Sequence, residues 1–228
     1  MPAPAILSLH NVHLNLSSRA GDVHILRGIT FRAEAGQAIG IVGPSGSGKT
    51  SLLMVMAGLE HVTRGELFLR GHALHAKSES ELSKLRRDEI GIVFQSFHLI
   101  PTLTAIENVA LPLEFKGVKN AVALARSKLA DVGLAHRLTH YPGQLSGGEQ
   151  QRVAIARALA AGAKVILADE PTGNLDQETG AAIMDLLFAV RTSNNATLFL
   201  VTHDRQLAKR CDRIIEVRDG LISEAAAS

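Results

Sequence analysis

Ala38–Ile39–Gly40–Ile41–Val42 runs without a polar residue into Gly43–Pro44–Ser45–Gly46–Ser47–Gly48–Lys49–Thr50. Ser51–Leu52–Leu53–Met54–Val55–Met56–Ala57 then continues as an apolar-rich helix that stops near Gly58. A strand, a glycine-rich turn closed by Lys and Thr, and a helix give the P-loop pattern in the context it requires. The glycines let backbone N–H groups turn inward around phosphate oxygens, and the helix start adds positive potential. Lys49 suits the charge of the β- and γ-phosphates, and the Thr50 hydroxyl suits Mg2+. From average residue usage, chance gives these fixed positions in roughly one chain per hundred of this length.

Two further apolar runs, Val165–Ile166–Leu167–Ala168 and Leu198–Phe199–Leu200–Val201, also lack alternation and read as parallel strands buried on both faces. With helical stretches between them, they predict an α/β fold with a mostly parallel open sheet and ligands at the carboxyl ends of its strands. The first thirty-odd residues differ. Ile6 to Leu14 alternates, and Ile25 to Phe31 follows a Gly21–Asp22 turn signal, which predicts an antiparallel β layer. Between Pro101 and Gln144 the pattern turns helical, with Val122, Leu124, Ala125, Leu129 and Val132 before Gly133, and predicts an inserted helical subdomain. Lys77 to Glu89 reads as a solvated amphipathic helix carrying Leu82 and Leu85, and the Ala-rich tail is predicted to fray.

With 228 residues, 46% of them hydrophobic, the chain has material for one well-packed domain that accommodates such an insertion. Its formal net charge is only +2 and the basic residues are scattered among acidic ones, so no nucleic-acid partner is expected. No Trp and one Tyr leave no stacking platform for single strands. The lone cysteine, Cys211, fits a reducing compartment. Met1 to His10 shows no secretory leader and no run approaches a membrane span, which together predict a cytoplasmic chain. The ten histidines show no metal-ligand spacing, and His72 with His75 lacks a third ligand.

Lys164 to Glu170 ends a buried strand in two carboxylates, a costly place for charge unless a metal or a reaction uses it. Asp169 is the candidate for the Mg2+ sphere. Strand alternation points Glu170 elsewhere, toward an attacking water. Leu145–Ser146–Gly147–Gly148–Glu149–Gln150 opens another helix, whose Ser146 cap and following amides make a second anion-binding start. Because the first helix start already cradles phosphate, the second is inferred to serve nucleotide held by another copy, in a head-to-tail homodimer. His203, in Val201–Thr202–His203–Asp204, follows a third buried strand, where it suits a γ-phosphate and a water. Gln95, after Ile92–Val93–Phe94, offers an uncharged oxygen to Mg2+ or water at the entry to the insertion.

The P-loop at Gly43 to Thr50, Gln95, the Leu145 to Gln150 stretch, the Asp169–Glu170 strand end and His203, in this order along the chain, resemble the ABC ATPase family over nearly the whole chain. The resemblance implies a P-loop NTPase (RecA-like) core with an ATP- and Mg2+-dependent hydrolase activity. It implies a nucleotide-binding core of residues 1–95 and 156–228 with its β layer, and a helical signature subdomain of residues 96–155. Nucleotide would be bound by Gly43, Pro44, Ser45, Gly46, Ser47, Gly48, Lys49, Thr50 and Ser51, and across the dimer by Ser146, Gly147, Gly148 and Glu149. Glu170, His203 and Gln95 would be catalytic, and Thr50, Gln95 and Asp169 would hold the metal. Pro171–Thr172–Gly173–Asn174–Leu175–Asp176 matches the family's D-loop, with Asp176 facing the partner copy. The family's aromatic platform for adenine is replaced by Leu16, which still packs on a purine face but favours adenine less.

Phe94 to Val109 and Ala168 to Asp176 are similar to the LolD/MacB group, and Val201 to Arg213 with Ser146 to Arg152 is most similar to its YbbA branch. That likeness implies an export or extraction subunit on the inner face of the plasma membrane. It would drive an integral membrane permease of YbbP, MacB or LolC type that handles hydrophobic or lipid-linked cargo. Transmembrane mechanical signalling without solute is the alternative. Phe97, Leu99, Ile100 and Leu103 beside Gln95 are either the surface that meets the permease or core of the insertion. A soluble ABC protein acting on ribosomes or DNA would carry two cassettes or long insertions. A dead scaffold would have lost Lys49, Glu170 or His203, and all three are present.

Overall fold

The computed structural model describes residues 5–18 and 21–225. The predicted fraying of the Ala-rich tail falls largely outside them. In chain order the elements begin β1 (Ala5–Ser18), β2 (Gly21–Glu34), β3 (Ala38–Val42), α1 (Lys49–Met56), β4 (Arg64–Leu69) and β5 (His72–Ala73). Next come α2 (Glu79–Glu89), β6 (Ile90–Phe94), α3 (Ala105–Phe115), α4 (Ala121–Asp131), α5 (Gly147–Ala160) and β7 (Val165–Asp169). The chain ends with α6 (Gln177–Ser193), β8 (Thr197–Val201), α7 (Arg205–Ala208), β9 (Arg213–Arg218) and β10 (Leu221–Ala225). Among the described residues no helix is long and apolar enough to cross a membrane. Residue contacts divide the chain into two compact units, residues 1–84 with 197–228, and residues 85–196.

The first unit holds the expected antiparallel layer, with strand order β2-β1-β4-β5. Leu9 is paired with Phe31 on one side and Leu67 on the other. Alternation buries Leu7, Leu9, Val12 and Leu14 of β1, as a sheet covered on one face requires. The same unit sets β3 parallel to both β8 and β9, and β10 closes antiparallel on β9. Every residue of β3 and of β8 is buried, which explains why these strands carry no polar alternation. Thr197, the polar start of β8, accepts the Gly36 N–H at 2.9 Å, so its burial leaves the hydroxyl satisfied.

The second unit contains the parallel pair β6 and β7 and the helices α3, α4 and α5. Val109, Leu113, Ala125, Leu129, Val153 and Ala156 form its helical core. Val122, part of the sequence periodicity, is instead exposed, so the apolar stripe of α4 is narrower than expected. Gly91 lets α5 approach β6, because a Cβ there would lie 2.3 Å from the Ala158 carbonyl oxygen. Buried Asn108 orders the loop before α3. Its Oδ1 accepts the Ile100 N–H at 2.8 Å, and its Nδ2 donates to the carbonyls of Ile100, Leu103 and Thr104. Asn108→Ala is expected to cost on the order of 3 kcal/mol, since it strands several of these polar groups; a urea-unfolding midpoint measures it.

Candidate nucleotide site

In the first unit, β3 delivers the chain to the glycine loop and α1 leaves it. Gly43, Gly46 and Gly48 have φ of 147°, 76° and 104°, conformations that L side chains rarely adopt. Gly43 is doubly required, because a Cβ there would lie 2.1 Å from the Val217 carbonyl oxygen. The start of α1 has no side-chain cap and no acidic residue in its first turn, so its amides and dipole face outward without competition. Lys49 is buried, and its Nζ donates to the carbonyls of Gly43 and Pro44 at 2.9 and 2.8 Å. The Ser47 hydroxyl is buried without a partner, 3.1 Å from where a Cβ on Gly43 would lie. Thr50 is exposed. Positive-φ glycines, an uncapped helix start and a lysine folded over the loop together fit a polyphosphate.

The same unit carries His203, exposed just after β8. Buried Thr202 accepts the Asp204 N–H at 3.1 Å, and Asp204 caps α7 through the N–H groups of Gln206 and Leu207. The histidine is thus held between two fixed turns. Leu16 is exposed on β1 and pairs with Val23, another exposed aliphatic residue.

In the second unit, the β6–β7 register places Phe94 opposite Asp169, so Gln95 and Glu170 leave their strands side by side. Strand alternation does not set the direction of Glu170. β7 ends at Asp169, and Glu170 lies beyond it with φ of 46°, so its direction follows from a left-handed backbone and not from the strand pleat. Such a conformation costs a non-glycine residue roughly 1–2 kcal/mol, strain that typically gathers at functional sites. Gln95 Nε2 donates to Asn174 Oδ1 and Asn174 Nδ2 donates back to the Gln95 carbonyl, each at 3.1 Å. Gly173 makes room for this pair, since a Cβ there would lie 2.7 Å from Gln95 Nε2.

Ser146 caps α5 by accepting the Glu149 N–H at 3.2 Å, and Glu149 Oε2 accepts the Ser146 N–H at 2.8 Å. Arg137 Nε donates to the other oxygen of Glu149 at 2.8 Å. The Ser146 amide, with help from Arg137, holds the Glu149 carboxyl below its ordinary value. Both of its oxygens are therefore engaged, and Glu149 shapes the helix end on which Gly147 and Gly148 present their amides. Asp176 caps α6 by accepting the Thr179 N–H at 2.9 Å, and bonding to Thr179 depresses its pKa. Glu107 closes the same kind of box on α3 with Thr104, which also lowers its pKa.

Three carboxyls with folded-state pKa values below the unfolded ones contribute stability above the unfolded values and lose it as pH falls through the folded ones. The denaturant midpoint is expected to fall as pH drops below the ordinary Glu value of 4.5. A Glu107→Gln variant should show a shallower decline, because its amide oxygen still caps but does not titrate.

Three residues of this unit went unassigned in the sequence. Gln151 is fully buried, donating to the Pro171 carbonyl at 2.7 Å, and its signal is a polar residue on the apolar stripe shared with Ile155 and Ala158. Asn174 and Arg157 gave no local signal. Of the apolar run beside Gln95, Leu99 packs on the helical core, Phe97 and Leu103 are half-buried and Ile100 is exposed. The run is therefore core of the insertion at Leu99 and surface at Ile100.

The sequence profile of the ABC transporter family matches residues 26–173. The chain belongs to the ABC transporter family. The ATP-binding protein YbbA of Escherichia coli K12, described as uncharacterized, is 46% identical over 228 residues, covering 99% of this chain and all of that one. The lipoprotein-releasing system ATP-binding protein LolD of Acinetobacter baylyi is 42% identical, covering 95% of this chain and 96% of that one. The dimeric post-hydrolysis structure of the ATP-binding cassette MJ0796 with ADP and Pi is 40% identical and superposes with a TM-score of 0.89, over 97% of this chain and 99% of that one. This ABC chain is an ATP-binding, ATP-hydrolysing subunit of the LolD/YbbA kind, built on the α/β P-loop core with its antiparallel layer.

Proposed function

We propose that this ATPase works as a head-to-tail homodimer on the inner face of the plasma membrane and drives a permease that extracts or exports hydrophobic or lipid-linked cargo. The observation that carries the cargo class is the full-length likeness to a lipoprotein-releasing system subunit. The dimer is supported by a dimeric neighbour of the same fold and by two helix starts that present amides, at Gly48 and Ser146.

Residues Gly43 to Ser51 bind the ATP phosphates, with Lys49 exchanging its loop carbonyls for phosphate oxygens. Ser146, Gly147 and Gly148 receive the γ-phosphate held by the partner copy, and Asp176 communicates across the dimer. Thr50, Gln95 and Asp169 form a hard oxygen set suited to Mg2+, which when bound neutralises charge developing on the phosphates. Glu170 takes the proton of the attacking water, and His203 orients that water and the γ-phosphate. Leu16 supplies an aliphatic face to the base. The cytoplasmic helix of the permease meets the loop after Gln95, where Ile100 is exposed.

Ile100→Asp tests the docking: it is expected to keep basal ATP hydrolysis and to abolish co-purification with a co-expressed permease of YbbP, MacB or LolC type. Retained co-purification, with hydrolysis still stimulated by the permease, would remove the assignment.

A further inference from the structure

The segment just after Gln95 contains two successive non-glycine residues in the left-handed region, Phe97 at φ 58° and His98 at φ 48°. Phe97 is not a type that takes this conformation readily, and His98, which enters it more often than most residues, still carries the Cβ penalty that glycine escapes. Something outside the loop must hold it. Arg157, in the third turn of α5, donates from Nη2 to the Phe97 carbonyl at 2.9 Å and from Nη1 to the His98 carbonyl at 2.6 Å. One planar guanidinium thereby spans both carbonyls of the strained pair, a fork that lysine cannot reproduce.

The position is a costly one for a charge: burial lowers the Arg157 pKa, and among the described residues no carboxylate pairs with it. Its bonds go to main-chain oxygens of this one turn. The first turn of the same helix approaches the same loop, since a Cβ on Gly147 would lie 3.7 Å from Phe97 Cζ. The Phe94 and His98 rings close the other side, with centroids 4.6 Å apart.

We propose that Arg157 is a positioning residue for Gln95, latching the left-handed Phe97–His98 turn onto the helix that begins at Ser146. The helix start assigned to the partner's nucleotide and the loop assigned to Mg2+ and the permease are then joined by one side chain. A shift of α5 pulls directly on the loop, and release of the loop frees Gln95 from the Asn174 pairing. The inference rests on the role proposed above for Gln95.

The test compares the full chain with Arg157→Met, Arg157→Met combined with His98→Asn, Arg157→Lys and Gln95→Ala. Amide hydrogen exchange over residues 96–104 is read without nucleotide, and the Mg2+ concentration for half-maximal ATP hydrolysis is read beside it. Arg157→Met is expected to speed exchange and to raise the Mg2+ requirement roughly tenfold, the usual effect of losing a supporting partner. Arg157→Lys should lie between, and it replaces the methionine variant if that one does not fold. Adding His98→Asn should bring both readings back toward wild type, because asparagine takes the left-handed region more readily. Unchanged exchange and Mg2+ requirement in the soluble Arg157 variants overturn the proposal, as does a defect that His98→Asn leaves untouched. If Gln95→Ala itself leaves the Mg2+ requirement unchanged, the role of Gln95 fails, and the exchange data alone still decide whether Arg157 latches the loop.

Discussion

Replacing Glu170 by Gln is expected to lower ATP hydrolysis by about 10^2- to 10^4-fold, the range supplied by a positioned general base, while ATP still binds. The substitution keeps the size of the side chain and its capacity to hydrogen-bond, and it removes only the ability to take a proton. Glu170 is held at φ 46° immediately after β7, next to the point where Gln95 leaves β6. An amide in the same place can still orient water. The bound ATP is therefore not consumed, and size-exclusion chromatography with light scattering should show an ATP-dependent dimer. Hydrolysis within a few-fold of wild type would remove Glu170 from the base role.

Lys49→Ala is expected to weaken ATP binding by about 10^2-fold, from the loss of charged hydrogen bonds worth roughly 1.5–3 kcal/mol each. The phosphate loses the cation that, without nucleotide, rests on the carbonyls of Gly43 and Pro44 at 2.9 and 2.8 Å. Titration with a fluorescent ATP analogue separates this from a folding defect, because the fold should melt close to wild type. Unaltered affinity would show that the loop amides alone carry the phosphates.

The parts of the fold that were legible in the sequence are those whose cause is local. β3 and β8 are buried along their whole length, so an unbroken apolar run is what such strands must look like. The P-loop was legible because glycines are needed at φ values no other residue takes easily, and Lys49 sits at a fixed distance along the chain from them. The start of α5 was legible from Ser146, a capping residue set before the apolar stripe of the helix.

What was not legible depends on distant partners or on a backbone state the sequence does not mark. Gln95 and Asn174 pair across 79 residues, and Arg157 reaches back about 60 residues to Phe97 and His98. No periodicity encodes such contacts. Glu170 and Phe97 are ordinary residue types in left-handed conformations, and only the surrounding packing shows why they stay there. The second oxygen of Glu149 is engaged over distance too, because Arg137, twelve residues earlier, donates to it.

In the proposed homodimer one ATP site is assembled from two copies of this chain, the glycine loop of one and the Ser146 helix start of the other. The most direct measurement mixes Lys49→Ala protein with Ser146→Arg protein and follows ATP hydrolysis against each variant alone. Each variant alone should be inactive, since every site in its homodimer is damaged. The mixed dimer contains one intact pairing, Lys49 from one chain and Ser146 from the other, and hydrolysis is expected to return in the mixture. A mixture as inactive as its components, with mixed dimers demonstrated by differential tags, would contradict the shared site.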